Sequence, residues 1–153
     1  MSEVRRQRPY LGKRARAAAR RNALQALYQW EMNQQPVERV IEEFRAEREE
    51  LRKADQEYFG ELVAGVAGHR DHLARQLGPH LARPLEQLDP VERAVLLLAM
   101  YELSFRLEVP WRVVVNEAIE LAKLFGAEQS HRFINGVLDA AARVVRTAEI
   151  GAA

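Results

Sequence analysis

An all-α protein of about seven helices is what this sequence predicts, on three observations. Apolar residues recur at the 3.6-residue helical period in each long segment. Residues that start and stop helices flank those segments. No stretch alternates apolar and polar residues as a half-buried strand would; Val113 to Val115 is the one β-like run, and it lies inside a helical period.

The first helix begins near Arg14, after residues 1–12, where Pro9 and Gly12 interrupt a chain with no apolar period. Ala19, Ala23, Ala26, Leu27 and Trp30 then form one helical face. Pro36 starts a second helix with Val37, Val40, Ile41 and Phe44 inward. Residues 38–61 carry nine acids and five bases, which read as a solvated face with i,i+4 pairs. Asp55 caps a third, longer helix bearing Phe59, Leu62, Val63, Val66, Leu73 and Leu77, ended by Gly78-Pro79. Gly65 and Gly68 each weaken that helix by up to about 1 kcal/mol relative to alanine, so close helix–helix approach is their expected use.

Pro84 opens a short helix. Asp89-Pro90-Val91-Glu92 is the clearest cap in the chain: an N-cap acid, proline at the first helical position and glutamate at the third. The helix it starts is apolar nearly all round from Ala94 to Tyr101 and is therefore expected at the centre of its bundle. Pro110 leads a helix whose inner face is Val114, Ala118, Leu121, Ala122 and Phe125, with Gly126 placed to take a left-handed C-terminal conformation. Ile134, Val137, Leu138, Ala141, Val144 and Val145 give the last helix its period. The expected organisation is a flexible basic arm at 1–12 and a single helical domain at 13–153, divided into bundles at 13–79 and 80–153.

The 153 residues are 48% hydrophobic and 29% charged, enough for one compact domain and too few for two large ones. Absence of cysteine excludes disulfides, thiolate nucleophiles and thiolate metal sites. The basic N-terminus is followed by no apolar signal-peptide region. The longest apolar run falls far short of the roughly 20 residues of a membrane span. A soluble cytoplasmic protein without membrane partners is expected. The net charge of +1 hides an asymmetry: residues 1–21 hold eight cations and one acid, leaving 15 basic and 21 acidic residues elsewhere. A basic end on an acidic body points to a polyanion partner. Cations in the first helical turns also oppose the helix dipole, a cost that a bound anion offsets.

Catalytic and metal chemistry find no constellation. His69 and His72 share a helical face but lack a third ligand nearby in sequence. Glu117 and Glu120 lack the Glu-x-x-His partners of a di-iron bundle. Ser104 and Ser130 lack a spaced His/Asp signature, and no glycine-rich phosphate loop occurs. Asn116 reads as a buried hydrogen-bonding residue between helices. Asn135-Gly136 lies inside a helical period, so Gly136 is expected to permit tight packing. No cofactor is expected.

Ala23-Leu-Gln-Ala-Leu-Tyr-Gln-Trp30, Leu88-Asp-Pro-Val-Glu-Arg-Ala-Val95 and Tyr101-Glu-Leu103 are followed by Val109-Pro110 and Asn116-Glu-Ala-Ile-Glu-Leu-Ala-Lys123. Then come Phe125-Gly-Ala-Glu128, Ser130-His-Arg-Phe133 and Asn135-Gly-Val-Leu-Asp139. Together, over about residues 13 to 145, they resemble the NusB family of bacterial transcription antitermination factors. The resemblance implies two packed helical bundles and a non-enzymatic role. It also implies binding of boxA single-stranded RNA, notably in ribosomal RNA operons, together with the ribosomal protein NusE. The pair would join a Nus-factor complex on RNA polymerase.

By the same resemblance Lys13, Arg14, Arg16, Arg20 and Arg21 belong to an arginine-rich RNA motif. Gln129, Arg132 and Phe133, at the break before the last helix, are candidates for contact with splayed-out bases. Phe133 fits the core equally well by pattern, and Tyr28 is favoured as a packing residue. Family members often carry aspartate at the position of Gln129, and loss of an acid beside RNA favours binding if anything. NusE is expected on the acidic segment through Glu86 and Glu92, the latter also suited to helix capping. The sequence leaves open whether the free protein is a monomer or a homodimer. Two rivals from other classes are a protein-binding scaffold whose arm only solubilises, and an RNA methyltransferase, for whose cofactor domain the segment after Asp139 leaves no room.

Overall fold

The computed structural model describes residues 12–151; the expected flexible arm lies almost wholly outside them. Nine α-helices and no strand occur among the described residues: α1 (Gly12–Asn33), α2 (Val37–Glu47), α3 (Glu49–Arg52), α4 (Gln56–Gly68), α5 (Arg70–Leu77), α6 (Pro90–Phe105), α7 (Trp111–Phe125), α8 (Ser130–Val145) and α9 (Thr147–Ile150). The count exceeds about seven for local reasons. The predicted third helix breaks at His69 (φ −118°, ψ 17°) into α4 and α5. Arg48 leaves helical geometry, which sets α3 apart from α2. The short α9 follows the last predicted helix, and the helix expected after Pro84 is a single 3₁₀ turn, Leu85–Gln87. Among the described residues no helix is long and apolar enough to cross a membrane.

The chain forms two compact units that meet in sequence between Ala64 and Gly65, inside α4; the Gly78-Pro79 step is internal to the second. In the first unit α1 buries Ala15, Ala18, Ala19, Ala23 and Ala26 beside Leu24 and Leu27, small side chains that admit neighbouring helices closely. Phe44 of α2 stacks on Phe59 with ring centroids 6.1 Å apart. Asp55 caps α4 as its sequence predicts, accepting from the Tyr58 N–H at 3.0 Å. Its own N–H donates to the Ala15 carbonyl at 3.1 Å, which ties the α4 entry to α1.

In the second unit α6 is central: every residue from Ala94 to Leu103 is buried, with α5, α7 and α8 against it. Asp89 caps α6, accepting from the Val91 and Glu92 N–H groups at 3.2 and 3.3 Å. Gly65 meets the expectation of close approach, since a Cβ there would stand 2.3 Å from the Tyr101 ring. Gly68 and Gly136 do not; neither has anything within 4 Å of where a Cβ would be.

Four further expectations are corrected. Gly126 is extended (φ −95°, ψ 178°) rather than left-handed. Asn116 is exposed rather than buried. Phe125 (37% exposed) and Val144 (65%) fall on the edge of their helical arcs and face outward. Arg146, by contrast, is 4% exposed and holds the carbonyl end of α6. Its Nε donates to the Leu103 carbonyl at 2.8 Å and its Nη2 to those of Glu102 and Arg106 at 3.3 and 3.2 Å.

Candidate nucleic-acid interface

The cations grouped by sequence divide into distinct environments at the start of α1. This helix has no acid in its first turn to complement its positive end. Lys13 and Arg14 there are exposed. Arg16 is half-buried, its guanidinium 4.1 Å from the Tyr58 ring centroid and 3.9 Å from the Asp55 carboxylate. The ring quadrupole and the carboxylate both hold that cation in a fixed direction. Arg21 donates from Nε (3.1 Å) and Nη2 (2.6 Å) to Glu50 Oε1. Arg20 is 4% exposed, its guanidinium 5.7 Å from the same Tyr58 ring. That burial gives it a packing role the cationic pattern did not reveal, because the pattern counts charge and not depth. Tyr28, favoured as packing, is instead 41% exposed.

The second candidate region is the corner from Phe125 to Phe133 between α7 and α8. Gln129 and Arg132 are exposed and Phe133 is half-buried. Phe125, 37% exposed on the last residue of α7, adds an aromatic face that the periodicity had turned inward. Its only sequence signal is that it immediately precedes the glycine ending the helix. The corner is tight: the Gly126 N–H donates to the Ala122 carbonyl at 2.8 Å and the Ser130 N–H to that of Ala127 at 3.0 Å. Partly exposed rings can stack on unpaired bases, and an exposed guanidinium or amide can hydrogen-bond their edges.

Of the two expected partner-facing acids, Glu86 is exposed and forms a paired interaction with Arg70, both N–O distances 2.9 Å. The Arg70 guanidinium, donating to it, holds the Glu86 carboxyl below its ordinary value. Glu92 does not reach back to close a capping box. Its Oε2 accepts from the buried Ser130 hydroxyl at 2.8 Å, so Asp89 alone supplies the α6 cap.

His69 and His72 flank Phe105, with ring centroids 4.4 and 6.3 Å from it. No group of three potential metal ligands occurs among the described residues. Ser104 donates to Gln76 at 3.1 Å and Ser130 to Glu92, so neither hydroxyl is set against a histidine base.

The family model described as the NusB family matches residues 17–143. The transcription antitermination protein NusB of Escherichia coli (strain SE11) is 52% identical over 132 residues, covering 86% of this chain and 94% of that one. The protein of the same name from Shigella boydii serotype 18 matches equally. Among solved structures, T. maritima NusB superposes with a TM-score of 0.74 at 30% identity, over 83% of this chain and 89% of that one. A chain from the crystal structure of antitermination factors NusB and NusE in complex with double-stranded RNA superposes with a TM-score of 0.72 at 28% identity, over 87% and 99%.

Proposed function

The chain belongs to the NusB family of transcription antitermination factors, and on that footing we propose that it works by binding boxA single-stranded RNA, notably in ribosomal RNA operons, jointly with NusE. It is a transcription factor and not an enzyme. The observation that carries the RNA reading is the α7–α8 corner, where the exposed Gln129 and Arg132 accompany the partly exposed rings of Phe125 and Phe133. Bases paired in an A-form duplex keep their faces stacked and offer no ring surface to such a corner, whereas unpaired bases do. Lys13, Arg14, Arg16 and Arg21 supply phosphate contacts at the other region, and Arg132 a fifth. NusE, which accompanies a NusB in a solved complex, docks on the acidic segment from Glu86 to Glu92. The pair joins a Nus-factor complex on RNA polymerase.

Mobility shifts or fluorescence anisotropy on a boxA-containing RNA, a scrambled RNA and a duplex of the same sequence test this reading, each with and without NusE. The boxA strand is expected to bind tightest. About five phosphate contacts give a log–log salt slope near −3.5. Equal binding to the scrambled RNA, preference for the duplex, or a flat slope would overturn it.

A further inference from the structure

The contact between Glu92 and Ser130 joins two surfaces that the functional reading treats separately. Ser130 is the first residue of α8 and only 3% exposed, yet it follows the exposed Gln129 and precedes Arg132 and Phe133 by two and three positions. Its hydroxyl donates to Glu92 Oε2 at 2.8 Å. A hydrogen bond to a carboxylate is among the stronger ones a protein makes, and this one, between the buried Ser130 and the half-buried Glu92, fixes the start of α8 against the first turn of α6. Gly126 makes room for it: a Cβ there would stand 3.0 Å from Ser130 Cβ, 3.1 Å from its Oγ and 2.8 Å from the Ala122 carbonyl. Asp89 already caps α6, which leaves the Glu92 side chain available for this bond.

We propose that Glu92 is a positioning residue for RNA: through Ser130 it sets how the corner presents Gln129, Arg132 and Phe133, and so couples RNA affinity to a cationic group docking on Glu92. The inference rests on the reading above, in which NusE meets the acidic segment. One carboxylate offers about four acceptor positions, so a cation from the partner and the Ser130 hydroxyl share it without exclusion. A partner that pins Glu92 thereby pins the corner, and ordering paid by one ligand is not required again of the second.

The test compares wild type, Ser130→Ala, Glu92→Gln and Glu92→Ala in the full chain, titrated with boxA RNA and with NusE, each alone and together. Ser130→Ala is expected to lose about tenfold in RNA affinity, the scale of one charge-assisted hydrogen bond, while NusE affinity stays within about twofold. Glu92→Gln keeps an acceptor for the hydroxyl, so it retains RNA affinity and loses NusE affinity. Glu92→Ala loses both. Amide exchange at residues 129–133 should slow when NusE binds the wild type and not when it binds Ser130→Ala. A generally loosened fold would instead weaken both ligands in every variant, and Glu92→Gln would rescue nothing. Wild type binding RNA and NusE, with Ser130→Ala matching it in RNA affinity and in the gain from NusE, would overturn the inference alone. Wild type binding neither would overturn the functional reading with it.

Discussion

At the scale of single residues, two arginines show why charge alone does not assign a role. Arg146 is buried, and its guanidinium serves the Leu103, Glu102 and Arg106 carbonyls and pairs with Glu149. The last carbonyls of a helix have no intrahelical partner, and here one planar donor fork supplies it. Arg146→Ala leaves those carbonyls without their donor, while the exposed Glu149 returns to water; a loss of about 1–3 kcal/mol is expected, read by urea denaturation. Arg20 lies deep beside Tyr58. Arg20→Glu should lower the melting temperature by many degrees, because it buries an acid where a cation sat. Lys13→Glu with Arg14→Glu, at exposed positions, should leave it within a few degrees. If Arg20→Glu melts like wild type, its burial is not structural.

At the scale of helices, close packing and end-capping govern. Gly65 faces the Tyr101 ring and Gly68 faces open space. Gly65→Ala is expected to cost about 1–3 kcal/mol by overpacking, less whatever helix propensity returns. Gly68→Ala should stabilise by up to about 1 kcal/mol. Thermal denaturation of the pair distinguishes steric from propensity effects, and equal shifts would contradict the packing account. The N-terminus of α7 is capped from α9: Glu149 Oε2 accepts from the Trp111 N–H at 2.9 Å. That bond, with Arg146 beside it, holds the Glu149 pKa below its ordinary 4.5. A carboxyl whose folded pKa is depressed stabilises fully above the unfolded value and loses that contribution as pH falls through the folded one. The stability difference between wild type and Glu149→Gln should therefore shrink as pH drops below about 4.5 and stay constant above it. A difference unchanged into that acid range would rule out the cap as its source.

At the scale of the molecule, the basic end and the acidic remainder make binding to RNA depend on salt. Removing the two exposed cations, Lys13 and Arg14, should flatten the log–log salt slope by about 1.4, at roughly 0.7 per phosphate contact on a single strand. The affinity loss should be similar for boxA and scrambled RNA, since phosphate contacts carry no sequence. Changes at Gln129 or Phe133 should instead narrow the gap between the two RNAs. A uniform loss at both regions would show that the corner positions the backbone without reading bases.

The amino-acid sequence by itself determined the all-helical class, the Asp55 and Asp89 caps and the central place of α6, because periodicity and capping act over a few neighbouring residues. It also determined the family, through motifs spread along most of the chain. Tertiary structure alone decided which side chains at the margins of each apolar arc lie inside. Phe125 and Val144 keep the period yet face outward, and Arg20 and Arg146 are buried against it. It decided too that Glu92 turns to Ser130, 38 residues away, rather than to its own helix end. Local pattern fixes a side chain's angle about its helix, whereas depth and partner depend on what the rest of the chain brings alongside.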